Sequence, residues 1–513
     1  MLVQTSTPRL ATTWLGFIAM CIGMFMAILD VQVVATSIAA IQKSVAIEPD
    51  LMSWLQTAYL IAEVIAIPLT GYLTRLLTGR WLFVFATTLF CVASIGCAAS
   101  NSFEPLVLWR VMQGFAGGTL IPSVFAAVFV LFPAGSQGRA TTVAGLLAVL
   151  APTVGPIVGG WITETFSWHW LFLINVAPGI LAGIVALLCL PKERPNPAAR
   201  GTLDWLSLLM LAIALASLQI GLKQAPDQGW ASSPVIGLLA VTAACVYGFA
   251  QRTLASSAPI VDLQTLGDRQ FLVGCILSFV LGIGLFGSVY LMPVFLGFVR
   301  GQNALEIGSI MLVTGLAQLA SAPIAVYLEQ RLDPRLLIGA GFAIFALGLG
   351  LSAFQTVSTD AAQMVLPQIL RGFAIMFCLL PPTRLALGRL PVEKVPDASG
   401  LFNLMRNLGG AIGLAIIDSI IYGRSEIHSQ YIIEKLMAGD AATATMIGIP
   451  TKLFTAGQSV SFDQTTQALV APFVQKAAIT MSINEAWTFA AILTVLVLAL
   501  LPLAHGTKAI SNR

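Results

Sequence analysis

Pro68-Leu69-Thr70-Gly71-Tyr72-Leu73 is answered 255 positions later by Pro323-Ile324-Ala325-Val326-Tyr327-Leu328. Two more fragments recur in the same order. Arg110-Val111-Met112-Gln113-Gly114-Phe115-Ala116 is echoed at an offset of 258 by Ile369-Leu370-Arg371-Gly372-Phe373-Ala374, and Ala144-Gly145-Leu146 at 255 by Ser399-Gly400-Leu401. One such match is weak. Three in register, each joining equivalent segments, make the chain a tandem of two like halves.

The surrounding composition says what the halves are made of. Of 513 residues, 57% are hydrophobic and 10% charged, against about 25% charged in a soluble domain. A string of soluble domains, a disordered chain and a disulfide scaffold are excluded. The net charge is +3 and the basic residues stand singly, which excludes a nucleic-acid partner. The seven cysteines (21, 91, 97, 189, 245, 275 and 378) all sit in apolar stretches without a CxxC, as small packing residues do. His169, His428 and His505 are too scattered for a metal site. What remains is an all-α polytopic membrane protein.

A membrane crossing needs about 20 mostly apolar residues. Fourteen runs qualify: 14–36, 53–73, 81–99, 105–131, 140–162, 170–190, 205–222, 234–251, 271–298, 304–328, 336–356, 363–387, 397–422 and 484–504. Asp30 near the far end of the first run, and that run's length, argue against a cleaved signal peptide. The repeats equate spans 1–6 with spans 9–14. The organisation is therefore 6+2+6, with an N-terminal bundle over 1–190, two inserted helices and linkers over 191–270, and a C-terminal bundle over 271–513 that includes a long polar segment, 423–483.

Lys and Arg set the orientation. One set of joints carries Arg9, Arg75, Arg80, Arg139, Lys192, Arg194, Arg200, Arg252, Arg269, Arg331, Arg335, Arg384, Arg389, Lys394, Lys508 and Arg513. The opposite short joints carry only Lys43, Lys223 and Arg300. An excess of 16 over 3 places both termini in the cytoplasm, and segment 423–483, with Arg424, Lys435, Lys452 and Lys476, outside it. Two parallel six-helix halves imply a transporter with a midplane site between them, opened to each side in turn. With no Walker A sequence, the energy source is expected to be an ion gradient, which supplies roughly 2.3 kcal/mol per charge per 100 mV.

Ionisable residues inside the spans are expensive, so each needs a reason. They are Asp30 in span 1, Glu63 in span 2, Arg110 in span 4, Arg371 in span 12, and Arg406 and Asp418 in span 13; Glu306 opens span 10 and reads as interfacial. Asp30 and Glu63 are candidates to load and release a proton, and so is Asp418 near the outer end of its span. The other reading of each is a fixed ion pair or a helix-end residue. Arg110 always carries its charge, so it is a partner rather than a carrier. Arg371 and Arg406 divide between substrate contact and structure. Span 5 contains Ala151-Pro152-Thr153-Val154-Gly155-Pro156-Ile157-Val158-Gly159-Gly160. Gly155 and Gly159 offer a small-xxx-small face and the two prolines a kink, either as ordinary packing or as a pliable seam between the halves. Gly282-Ile283-Gly284-Leu285-Phe286-Gly287 matches a dinucleotide-binding string, but it lies inside an apolar helix and has no such meaning there.

Arg110 with Gln113, Gly114, Gly117 and Gly118 resembles the fourth-helix motif of the major facilitator superfamily. The run from Ala151 to Gly160 resembles the antiporter motif of its drug/proton exporters. Leu29-Asp30 with Val33-Val34, the stretch Trp168-His169-Trp170-Leu171-Phe172-Leu173-Ile174-Asn175-Val176-Ala177-Pro178-Gly179, Pro259-Ile260-Val261-Asp262-Leu263 and Asn484-Glu485 extend the likeness to the fourteen-helix EmrB/QacA-type branch over essentially the whole chain. The resemblance implies a major facilitator fold and proton-driven export of hydrophobic compounds across the inner membrane. Asp30 and Arg110 would then belong to the coupling machinery, with Gln113 beside them, and Pro152, Gly155, Pro156, Gly159 and Gly160 to the antiporter seam. It also implies, for Gram-negative members, a periplasmic adaptor and an outer-membrane channel as partners, with segment 423–483 either touching the adaptor or forming a plain cap.

The chain departs from the pattern in places. Gly71-Tyr72-Leu73-Thr74-Arg75 puts Arg75 where the family has an acid, which leaves the usual cytoplasmic gating charge pair open. Gln32 replaces the usual Thr of the first-helix motif, and Glu63 and Asp418 are additional acids that suggest a cationic substrate or another proton site. The expectation is a proton-coupled antiporter for lipophilic compounds that uses no cofactor. The alternative within transport is a dedicated exporter of a siderophore, fatty acid or other metabolite. An intramembrane enzyme would need a Ser–His dyad, a HExxH or an aspartate pair, and the sequence has none.

Overall fold

A computed structural model describes residues 10–45, 54–192, 204–256, 259–449 and 464–503. Arg9, Arg194, Arg200, Lys452, Lys508 and Arg513 of the charge count lie outside the described residues, as do positions 450–463 of the long polar segment. Fourteen helices are long and apolar enough to cross a membrane. They are α1 (Leu10–Val45), α2 (Trp54–Leu77), α3 (Gly79–Ala98), α4 (Phe103–Leu131), α5 (Ala134–Thr165), α6 (Trp170–Cys189), α7 (Trp205–Gln228), α8 (Ser233–Ala255), α9 (Arg269–Val294), α10 (Ala304–Glu329), α11 (Pro334–Leu351), α12 (Ala361–Leu387), α13 (Val395–Met437) and α14 (Gln464–Leu496).

Many of the scarce acids are spent on helix starts. Asp204, Asp268 and Asp333 accept backbone N–H groups at the first turns of α7, α9 and α11. Asn303 with Glu306, and Asp360 with Gln363, form reciprocal capping boxes at α10 and α12. Glu306 is thereby explained as a cap at the membrane face. At Asp204, the Ser207 hydroxyl, with Arg252 adding to it, holds the carboxyl down to about 2.

The two halves pack alike. In the first, α2 lies on α4, α1 on α5, α3 on α4, and α6 on α1 and α3; in the second, α10 lies on α12, α9 on α13, α11 on α12, and α14 on α9 and α11. The repeat holds at the level of single atoms. A methyl group on Gly114 would strike the carbonyl oxygen of Tyr59, and one on Gly372 that of Thr314, the residue 255 positions after Tyr59. The halves meet along α5 with α10 and α2 with α13, and α7 flanks the second of these seams.

The face at which α1 begins is called the near face. Toward it one hydrophobic core runs through both halves, joining Leu69, Tyr72 and Phe125 to Phe271, Ala398 and Phe402. Toward the far face the cores separate, with Val33, Val34 and Leu55 in one half and Leu291, Phe295 and Ile421 in the other. The halves are thus closed together at the near face.

Two boundaries differ most from the sequence expectation, the end of span 13 and the start of span 14, where α14 begins at Gln464 rather than at 484. Span 13 does not stop at 422, because α13 runs on to Met437 and is 43 residues long. The far-face loop residue Trp230 donates to Ser419 at 2.7 Å, so the turns of α13 from there to Met437 run on past the α7–α8 loop. The first turns of α14 return beside them, and Ile432, Leu436, Val474 and Ala478 share a small core there. Polarity misled the sequence reading: a helix outside the bilayer needs only one apolar stripe. The described residues of segment 423–483 are therefore mostly helical, with the end of α13 and the start of α14 packed on each other.

Candidate functional site

Asp30 on α1 is wholly buried, and three side chains from two other helices donate to its carboxylate. Arg110 Nη1 donates to Oδ2 at 2.5 Å, while Gln113 Nε2 and Asn175 Nδ2 donate to Oδ1 at 2.9 and 2.8 Å. Arg110 Nη1 also reaches Gln113 Oε1 at 2.7 Å, and Gln113 Nε2 reaches Ser94 Oγ at 2.9 Å. Arg110 Nε donates to the Leu55 carbonyl at 3.1 Å. The guanidinium stacks 4.4 Å from the Tyr59 ring centre, and the Tyr59 hydroxyl is anchored on the Ala27 carbonyl at 3.1 Å.

Helical spacing makes this possible. Arg110 and Gln113 are three residues apart and so share a face of α4. Gly114, on the next turn, lets α2 approach closely enough for Tyr59 to cover the arginine. A buried charge pair is sustained only when its remaining donors and acceptors are met. Here all but one are met: Arg110 Nη2 has no hydrogen-bond partner. The arrangement can hold a charge in a dry interior and release it when the helices part.

Of the sequence candidates, the structure brings Asp30, Arg110 and Gln113 into one network. Glu63, one turn beyond Tyr59, is buried and within electrostatic reach of Arg110, but the network's hydrogen bonds do not extend to it. Asp418 is far from this group, beside Tyr290 and Tyr422 at the far end of α13. Arg371 is buried in the second half against Trp487, its guanidinium 4.6 Å from the ring centre. Arg406 donates to Asn403 and lies 5.6 Å from the Phe125 ring across the seam between halves.

The span 5 motif has two sides. Gly155 packs against Gln32 of α1, and the Gly159 carbonyl lies 3.4 Å from the Ser37 hydroxyl, both within the first half. Thr153 and Ile157 face the other half, where Gly315 and Gly308 of α10 receive them. Residues two apart on a helix lie some 200° apart, so the glycines and the seam residues occupy opposite sides of α5. Along α2 and α13 the close approach of the halves is allowed by Gly71 and Gly400, and along α5 and α10 by Gly308 and Gly315 of α10. Pro152 lines a cavity on that seam; Pro156 and Gly160 are buried within α5.

Sequence reasoning missed several residues. Asn175 and Ser94 were given no role, since an uncharged amide or hydroxyl in a span carries no signal without its neighbours. Asp397 was also missed. It forms an ion pair with Arg75, so the charge pair left open by the sequence exists with its signs arranged between α2 and α13. Arg75 Nη2 further donates to the Pro259 carbonyl at 3.2 Å, and Lys394 pairs with Asp262 at 2.9 Å. Lys394 keeps the Asp262 carboxyl below the usual carboxylate range against partial burial, which pushes it the other way. An arginine where an acid is usual was the available sign, since a reversed charge calls for a reversed partner.

Comparison with known proteins bears on this geometry. The family model described as Major Facilitator Superfamily matches residues 20–414 and 274–503. The chain is 38% identical over 420 residues to the Colistin resistance protein EmrB of Acinetobacter baumannii, covering 81% of this chain and 82% of that one. It is 30% identical to the Multidrug export protein EmrB of Escherichia coli, with 82% of each covered, and 27% identical to the Fatty acid resistance protein FarB of Neisseria gonorrhoeae, with 82% and 83% covered. In fold it is similar to the proton:xylose symporter XylE, with a TM-score of 0.58 at 14% identity over 97% of each chain. The chain belongs to the Major Facilitator Superfamily, as a multi-pass efflux transporter of its EmrB-like members.

Proposed function

We propose that the protein exports lipophilic compounds across the bacterial inner membrane in exchange for protons, with its near face and both termini in the cytoplasm. The observation that carries this is Asp30, a fully buried carboxylate ringed by Arg110, Gln113 and Asn175. These donors come from α4 and the α6 region, so relative movement of the helices opens the ring. A carboxylate in an apolar bundle then exchanges its guanidinium partner for a proton. In the present arrangement the near face is closed and Asp30 is paired with Arg110. Proton uptake from outside and the tilt of the halves alternate with substrate passage along the seams. Glu63 and Asp418 are further candidate proton sites, one beside Arg110 and one at the far-face rim.

The lysine and arginine distribution supports this orientation, and the names of the EmrB relatives support drug export. FarB supports a second reading, dedicated export of an acidic metabolite. A periplasmic adaptor and an outer-membrane channel are further candidate partners, with the hairpin of α13 and α14 as the candidate surface for the adaptor. The test is transport of a lipophilic dye in proteoliposomes under a pH difference. Asp30→Asn should abolish gradient-driven accumulation while the protein remains folded. Full-rate pumping by the wild type with neither a pH difference nor a voltage would end the proton-coupled reading.

A further inference from the structure

The internal repeat sets α4 beside α12. At the offset of 258 that places Gly114 on Gly372, Arg110 falls on Gln368 and Gln113 on Arg371. The same two side chains occupy the same turn of equivalent helices, in exchanged order. In the first half they serve the Asp30 carboxylate from α1. In the second half the counterpart of α1 is α9, and no Asp or Glu lies between Arg269 and Arg300.

A small cavity of about 50 Å³ lies in that place. Arg371 and Gln368 border it from α12, Ser288 and Leu285 from α9, Thr314 from α10 and Thr153 from α5. Arg371 is 2% exposed and Gln368 is 1% exposed. Arg371 Nε makes one long hydrogen bond, 3.4 Å, to the Pro367 carbonyl, and no carboxylate is in ion-pair distance among the described residues. Gln368 Oε1 accepts from Thr314 at 3.1 Å, which leaves its buried Nε2 without a partner. The site thus combines a buried cation with an unmet N–H donor. A guanidinium at the membrane centre without an acid costs roughly 2.5–3.5 kcal/mol on insertion scales, offset in part by its stacking 4.6 Å from the Trp487 ring centre, and an unmet buried donor adds about 1–3 kcal/mol. An anion from outside the chain removes both costs.

We infer that this cavity is a carboxylate-binding subsite, in which the head group of a lipophilic organic acid takes beside Arg371 and Gln368 the place that Asp30 takes beside Arg110 and Gln113. The inference rests on the export reading and names the substrate class for it. A planar guanidinium and an amide N–H suit the two oxygens of a carboxylate. Leu285 supplies apolar wall for the beginning of a hydrocarbon tail. Thr153 belongs to the first half, so an occupant touches both sides of the α5–α10 seam. A protonated amine of the same length meets Arg371 as a like charge, and an ester offers no charge.

The test is binding of decanoate, methyl decanoate and decylamine to the purified full-length protein in detergent, by calorimetry and by thermal shift. Decanoate should bind at least ten-fold more tightly than the ester or the amine. Arg371→Gln should weaken decanoate at least ten-fold. Because that variant removes a buried group, Ser288→Asp provides an independent arm. It offers an acid from α9, and it should block decanoate at least ten-fold without lowering the unfolding midpoint of the ligand-free protein. Equal binding of the three head groups, or undiminished decanoate binding by Ser288→Asp, overturns the subsite. So does an equal shift from acetate, which marks a site for any small anion, or one from phosphatidylglycerol that decanoate does not displace, which marks a lipid site. Proton-driven export of a neutral dye without decanoate binding defeats only the subsite; absence of gradient-driven export of any lipophile defeats the export reading itself.

Discussion

Breaking the ion pair between Arg75 and Asp397 should loosen the near face without touching the buried network around Asp30. The pair joins the end of α2 to the start of α13, and its side chains are 31% and 10% exposed. It therefore falls between exposed pairs, worth about 0–1 kcal/mol, and fully buried pairs whose rupture costs about 3–5 kcal/mol. Water reaches Arg75, so a value of about 1–2 kcal/mol follows, a factor of roughly 5–30 in the balance between closed and open near faces. The Lys394–Asp262 pair and the Ser399 hydroxyl, which donates to the Pro122 carbonyl at 2.9 Å, remain and limit the effect. Spin labels on the near-face ends of α2 and α13 would report the distance distribution by pulsed electron resonance in nanodiscs. Asp397→Asn should move population to a longer distance, and Arg75→Asp should do so more strongly, because it sets two acids face to face. Arg75→Asp combined with Asp397→Arg should restore most of the short-distance population. An unchanged distribution in Asp397→Asn, or a double exchange no better than the worse single change, would refute the latch.

Other consequences are open to direct measurement. Gly114→Ala forces a methyl group into the Tyr59 carbonyl, an overpacked contact typically costing about 1–3 kcal/mol; its unfolding midpoint in detergent should fall, while Gly183→Ala, which meets nothing within 4 Å, should leave it unchanged. Asn175→Ala removes one of the donors to the Asp30 carboxylate, a bond to a charged group worth about 1.5–3 kcal/mol, and an undiminished unfolding midpoint would show that this bond contributes nothing. Asp204, held at about 2, contributes stability at the start of α7 that is present above the ordinary carboxylate range near 3.9 and lost as pH falls through about 2. A carboxyl carbon resonance of Asp204 titrating near 4 would contradict its hydrogen bond from Ser207.

The number of crossings, the pairing of spans 1–6 with 9–14 and the superfamily were readable from the chain because each is carried by local pattern. A crossing is a run of apolar residues as long as the bilayer is thick. A repeat is a string compared with itself. Asp30 and Arg110 were also legible, since a charge inside such a run is conspicuous by its cost. Tertiary structure decided what those charges do. Asn175 and Ser94 become visible only when α6 and α3 bring an amide and a hydroxyl to the same carboxylate and glutamine. The assignment of Gly155 and Gly159 to α1 rather than to the other half depends on helix rotation, which a list of small residues does not contain. The setting of Arg371 is a property of three dimensions too: the arginine is in the sequence, but that no acid among the described residues pairs with it is known only once the helices around α12 are packed. Periodicity and solvation act along the chain, whereas ion pairing and cavity shape act between segments hundreds of residues apart.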